Sequence, residues 1–184
     1  DNMAESGAGV YVGESGSTLG TFTMNGGTIT NNKVIKGNGG GVYVLGTFEI
    51  ANGAQVLDNL RKDTSGQDTS NNVYLPSGKT ILIGSNGLDS SAKIGVTMGQ
   101  QLADGGQVTI AKGASNDYTL TADDLNAFSS DTGYKKYALD NAVNFSNGEL
   151  HVHRLCGTAN CTLTYHENVL WTAINTEAEL RAIK

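Results

Sequence analysis

The sequence predicts an all-β protein built as a parallel β-solenoid, and three observations carry that expectation. A six-residue phrase is written twice, GAGVYV at residues 7–12 and GGGVYV at 39–44, and each copy leads on to GTF. Apolar residues alternate over short segments, which is the period of a strand. The chain holds 25 glycines and a single proline, Pro76, with Asn, Thr, Ser and Asp filling much of the remainder, so turns are plentiful while the proline of a disordered linker is missing.

Aligned against itself, the chain repeats GVYVGESGSTLGTFTMNGGTITNN (residues 9–32) as GVYVLGTFEIANGAQVLDN (residues 41–59). The offset is 32 residues at GVYV and 26 at GTF, because the first copy carries six extra residues, Gly13 to Thr18. A loop tolerates such an insertion and a strand does not. A third, degenerate copy starts at Asn71-Asn72-Val73-Tyr74-Leu75 and runs through SGKTILIG. Val10 and Val12, Phe22 and Met24, then Ile29 form the apolar set of the first copy; Val42 and Val44, Phe48 and Ile50, then Val56 form that of the second. One copy has too little apolar surface to fold alone, so the copies must stack and share a core, one per coil.

The motif GGGVYV…GTFTMNGGTITNN resembles the right-handed parallel β-helix repeats of large surface proteins of Gram-positive gut bacteria and, more loosely, the repeats of chlamydial polymorphic membrane proteins. NNVYLPSGKTILIG followed by AKIGVTM looks like the segment that ends such an array. The resemblance covers residues 1–100 well and 100–150 weakly. It implies a right-handed coil and a cell-surface setting, and because β-helices host adhesins, lyases and passive stalks alike, it implies little about activity.

Residues 1–150 are therefore expected to form the β-helix with a less regular cap. In the cap, QVTIA and ELHV read as strands and TADDLNAF (121–128) as a short helix with Thr121 as N-cap and Asp123 and Asp124 in its first turn. SNG at 146–148 reads as a hairpin-type turn. Residues 151–184 are expected to form a small Cys/His junction module. The chain opens at Asp1 inside a repeat and ends on TEAELRAIK, where a helical pattern begins, so it reads as a piece of a longer protein.

Parity gives the first candidate site. If the valines of each VYV point inward, Tyr11, Tyr43 and Tyr74 point outward and form a column on one face, suited to a glycan ring or a partner's apolar surface, or simply to stabilising the ladder. The corner residues Asn31 and Asn32, Asp58 and Asn59, and Asn71 and Asn72 recur in register, as a hydrogen-bonded asparagine ladder requires. The second candidate is HVHRLCGTANCTLTYHENVLW (residues 151–171), which holds both cysteines and all three histidines. His153, Cys156, Cys161 and His166 have the ligand types and spacing for a structural zinc knuckle. Cys156 and Cys161 equally suit a disulfide, which in so small a loop contributes roughly 2 kcal/mol. Free thiols with surface histidines are the third alternative.

Enzyme signals are thin. There is no phosphate-binding loop, dinucleotide fingerprint or G-x-S-x-G, and His166-Glu167 is not H-E-x-x-H. Asp58, Arg61, Lys62, Asp63 and Asp68 crowd the insertion RKDTSGQDTS, which reads as a solvated surface loop. A net charge of −6 argues against nucleic acid or an anionic membrane as partner. No apolar run reaches the roughly 18 residues that a membrane-spanning helix needs. The expectation is a non-enzymatic segment of an extracellular bacterial surface protein, an adhesin or stalk that presents or binds a host or glycan ligand. A carbohydrate-binding or polysaccharide-cleaving β-helix is the alternative.

Overall fold

The computed structural model describes residues 1–101, 107–115, 118–131, 137–140 and 149–154. It is a parallel β-solenoid of about four turns. Strands Val10–Val12, Val42–Val44 and Val73–Leu75 stack in parallel as one row, with Val10 beside Val42 and Val42 beside Val73. Thr21–Met24, Thr47–Asn52, Ile81–Leu88 and Gln107–Gly113 form a second row. Thr28–Ile29 and Gln55–Val56 begin a third, and Met3–Ala4, Lys33–Val34 and Leu60–Lys62 line a short fourth side. The paired residues reproduce the sequence offsets: Val10 to Val42 is 32 residues and Phe22 to Phe48 is 26.

Alternation dictates the core. Phe22, Phe48, Ile81 and Ala111 stand in one inward column, and Ile29, Val56, Ile94 and Phe128 in another. Layering explains the burial gradient: Val42, Phe48 and Val56 of the second coil are 0% exposed, while Val10, Phe22 and Ile29 of the first coil are only partly covered. A side chain in this core needs a layer on each side of it, which is why no coil is stable by itself.

The corners follow from local chemistry. Asn31 and Asp58 sit in the left-handed region, at φ 59° and 54°, and each hands the chain to a buried asparagine, Asn32 or Asn59. Asn and Asp are the non-glycine residues that tolerate that conformation best. Gly41 answers a different need, close approach: a Cβ there would lie 2.7 Å from the Asn72 carbonyl oxygen and 2.8 Å from Nδ2 of Asn59.

The fourth layer departs from the pattern. Strand Lys93–Met98 pairs with Gln55–Val56 through Lys93 and Ile94, and with Val73–Leu75 through Val96 to Met98. It therefore runs directly from the third row into the first, and the short fourth side is gone at this level. Phe128–Ser130 pairs in parallel with Ile94–Val96 and covers the row beyond it.

The expected helix is present as Ala122–Asn126, with Thr121 as N-cap and Asp124 completing a capping box. The Asp124 carboxylate is 0% exposed and accepts from the Leu88 N–H at 2.8 Å, the Tyr118 hydroxyl at 2.7 Å and the Thr121 N–H at 2.7 Å, so the helix is pinned to the second row. Glu149–Arg154 pairs antiparallel with Gln107–Gly113 and with Tyr137–Asp140, ending the parallel stacking on that row. The SNG turn at 146–148 lies outside the described residues.

Candidate functional site

The backbone register places Tyr11 beside Tyr43 and Tyr43 beside Tyr74, so three successive coils each send one phenol to the same outer line. Ring centroids are 5.2 Å apart between Tyr11 and Tyr43, with planes 20° from parallel, and 5.1 Å apart between Tyr43 and Tyr74, with planes 38° apart. This close stacking has a chemical consequence. The faces of Tyr43 are turned toward its two neighbours, so the row offers ring edges and hydroxyls to solvent, and Tyr11, at the end of the row, is 53% exposed. Burial, followed by the two neighbouring phenols, pushes the Tyr43 hydroxyl above the ordinary tyrosine range.

Glycines border the row on both sides. A Cβ at Gly39 would lie 2.7 Å from the Tyr43 Cβ, one at Gly13 would lie 3.1 Å from Tyr11 Cε1, and one at Gly99 would lie 2.5 Å from the Tyr74 hydroxyl. The row ends at the fourth layer, where Thr97 stands opposite Tyr74. The six-residue insertion of the first coil is a small hairpin beside Tyr11, with Glu14–Ser15 pairing antiparallel with Thr18–Leu19.

Next to this row runs the asparagine ladder. Asn2 donates its N–H and Nδ2 to Asn32 Oδ1, both at 3.1 Å. Asn32 repeats the pair of bonds to Asn59 at 3.1 and 3.0 Å, and Asn59 repeats it to Asn72 at 2.8 and 3.1 Å. The last rung is a carboxylate: Asn72 donates its N–H and Nδ2 to the two oxygens of Asp131, each at 2.6 Å, and the Thr97 hydroxyl adds a bond at 2.9 Å. An acceptor-only group suits the end of a ladder in which every rung hands donors downward. Gly95 makes room for it, since a Cβ there would lie 2.3 Å from both Asn72 Nδ2 and Asp131 Oδ1. Burial lifts the Asp131 carboxyl above its ordinary range despite the donors that pull it back. Asn71 leaves the ladder and caps the neighbouring corner instead, accepting from the Gly39 N–H at 2.5 Å.

The charged insertion is a β-hairpin, with Leu60–Lys62 antiparallel to Asp68–Ser70. Its carboxylates have structural partners. Asp68 meets Lys33 at 2.6 Å and Lys62 at 2.9 Å, and those two hydrogen bonds hold its carboxyl low. Asp63 accepts from the Ser65 hydroxyl and from the N–H groups of Ser65 and Gln67, which close the turn and hold its carboxyl low as well.

His153 lies on strand Glu149–Arg154, opposite Gln107 and Ala138 in the backbone register. Its side chain, together with Cys156, Cys161 and His166, lies outside the described residues. Among the described residues no group of three or more His, Cys, Asp or Glu is placed to hold a metal ion, and no helix is long and apolar enough to cross a membrane. Sequence reasoning missed Asp131 and Thr97: 59 residues separate Asn72 from Asp131, and nothing in the repeat marks the aspartate as the next rung.

Fold and site together define a class, the parallel β-solenoid repeat proteins, here with one tyrosine from each of three successive coils along an outer line. Comparison of the chain with protein-family models, curated proteins and solved structures returned no match.

Proposed function

We propose that this chain is a non-enzymatic segment of an extracellular bacterial surface protein, a stiff stalk or adhesin module whose row of Tyr11, Tyr43 and Tyr74 presents or binds a host or glycan ligand. The observation that carries the reading is the row itself: three phenols, one per coil, on a face bordered by glycines. Phenol edges and hydroxyls supply apolar contact and hydrogen bonding at once, the combination that interfaces favour. Stiffness follows from a core and a ladder that tie each coil to the next. The hairpin carboxylates argue for the non-enzymatic side, since Asp63 and Asp68 are engaged in a turn and in ion pairs. A structural zinc at His153, Cys156, Cys161 and His166, or a disulfide between Cys156 and Cys161, would serve as a junction; metal analysis with a free-thiol count tests it.

The test of function is a binding screen on glycans and host surface proteins, run beside a reducing-end assay on plant and mucin polysaccharides. The expected result is specific retention that weakens in Tyr11→Ala and Tyr43→Ala, with no new reducing ends. Turnover that disappears when Asp58 or Asp63 is replaced would establish the polysaccharide-cleaving alternative. Absence of any ligand, with tolerance of Tyr43→Ala beyond a stability loss, would reduce the segment to a spacer.

A further inference from the structure

We propose that Tyr11, Tyr43 and Tyr74 form an oxidative cross-linking site, at which a peroxidase-type one-electron oxidant using hydrogen peroxide joins the phenol rings of adjacent coils by a carbon–carbon bond. The inference rests on ring geometry and is independent of any ligand. Coupling of two tyrosyl radicals is limited by how often their ortho carbons meet before either radical is quenched. Here the pairing of the rings is built in. The rings stand 5.2 and 5.1 Å apart, held there by strand register.

Access is built in as well. Tyr11 is 53% exposed and so open to an oxidant, and Tyr43 lies between both partners. The ring ends lean over Gly13 and Gly99, which carry no side chain to intervene. The same stacking occurs inside the solenoid, where Phe22 and Phe48 lie 5.5 Å apart with planes 8° from parallel, but without a hydroxyl that pair has no easily removed hydrogen.

The step balances. Two phenols each give one electron and one proton to the oxidant, and the ortho carbons of the two radicals form the new bond. Each ring then moves its ortho hydrogen to oxygen and recovers its phenol. One hydrogen peroxide is reduced to two waters, and the product lacks two hydrogens. A ring has two ortho carbons, so Tyr43 can join both neighbours and fasten three coils.

The three tyrosines fall on separate tryptic peptides, residues 1–33, 37–61 and 63–79, which makes the assignment direct. The folded chain is treated with a haem peroxidase and hydrogen peroxide, and monomer is isolated, digested and weighed. The expected products are peptide 1–33 joined to 37–61 and peptide 37–61 joined to 63–79, each short of two hydrogens. Tyr43→Phe, which keeps the ring, should lose both and most of the dityrosine fluorescence of the monomer. The chain unfolded in guanidinium should lose the preference for these pairs. The proposal is overturned if the folded chain couples only at other tyrosines or only between molecules. It is overturned equally if monomer fluorescence is unchanged in Tyr43→Phe with a native circular dichroism spectrum, or if no coupling occurs where free N-acetyltyrosine couples.

Discussion

Asn59 and Asn72 meet in one fixed sense: the N–H and the side-chain amide of Asn59 both donate to Oδ1 of Asn72, while Asn59 Oδ1 receives the same pair of bonds from Asn32. Asn59 also donates to the carbonyls of Ile29 and Leu57, at 2.9 and 2.8 Å, and its residue is 0% exposed. Asn59→Ala would strand donors on Asn32 and acceptors on two carbonyls. Each unsatisfied buried group costs about 1–3 kcal/mol, so a loss of about 3 kcal/mol or more is expected in urea unfolding. Asn59→Asp should be at least as damaging at neutral pH, because an oxygen then faces two carbonyl oxygens. Asn25→Ala, on an exposed turn, should stay within about 0.5 kcal/mol.

Asp131 predicts a pH dependence of known sign. Its folded-state carboxyl is raised above its ordinary range by burial, so it takes up a proton in the fold before it does in the unfolded chain. The penalty of keeping it ionised is therefore full at neutral pH and is relieved as pH falls through the raised value. Asp63, Asp68 and Asp89 are held low and act in the opposite direction, which is why wild type must be compared with Asp131→Asn. The stability of wild type minus that of Asp131→Asn should rise between pH 7 and about pH 4. Urea midpoints at four pH values measure it, and a flat or falling difference would refute the assignment.

The hairpin beside Tyr11 should be removable. Excising Gly13 to Thr18 leaves VYVLGTF in the first coil, identical to Val42 through Phe48 of the second. The second coil already makes that corner, with the Leu45 and Gly46 N–H groups bonded to the Val12 carbonyl. Shortening a surface loop changes closure entropy only slightly, so stability should move by less than about 1 kcal/mol in urea unfolding.

Stacking in the tyrosine row should appear as position-dependent stability. Tyr43 has a ring on each side, and its replacement by Ala is expected to cost about 2–3 kcal/mol from lost stacking and apolar cover. Tyr11 has one stacked neighbour and is 53% exposed, so Tyr11→Ala should cost less. Tyr43→Phe should fall within about 0.5 kcal/mol of wild type. Equal losses at Tyr11 and Tyr43 would mean that the neighbours contribute nothing.

Much of this fold is legible because period and parity act locally. Alternation identified Val42, Phe48 and Val56 as inward, and the offsets of 32 and 26 fixed which residues stack. Thr121 and Asp124 announced the helix through capping chemistry. AKIGVTM reads as part of the segment that ends the array, yet that its strand, Lys93–Met98, serves two rows depends on neighbours 20 to 40 residues away, Val56 and Val73. RKDTSGQDTS reads as a loop because its pairs, such as Lys62 with Asp68, are polar and exposed, and so lack the apolar alternation that marks a strand. The tyrosine line was visible from parity, whereas its stacked rings were not, since ring orientation is a side-chain torsion that alternation along the chain does not report.

The ladder also has a direction. Each asparagine donates its N–H and its side-chain amide to the rung beneath it, and among the described rungs the Asp131 side chain only accepts. The unit from Asn32 to Asp58 begins and ends on equivalent corners, so copying it in place would add one storey without disturbing the roof or the foundation. Length in such a rod is a heritable dial, turned by duplicating a short piece of gene, while the terminating chemistry stays untouched.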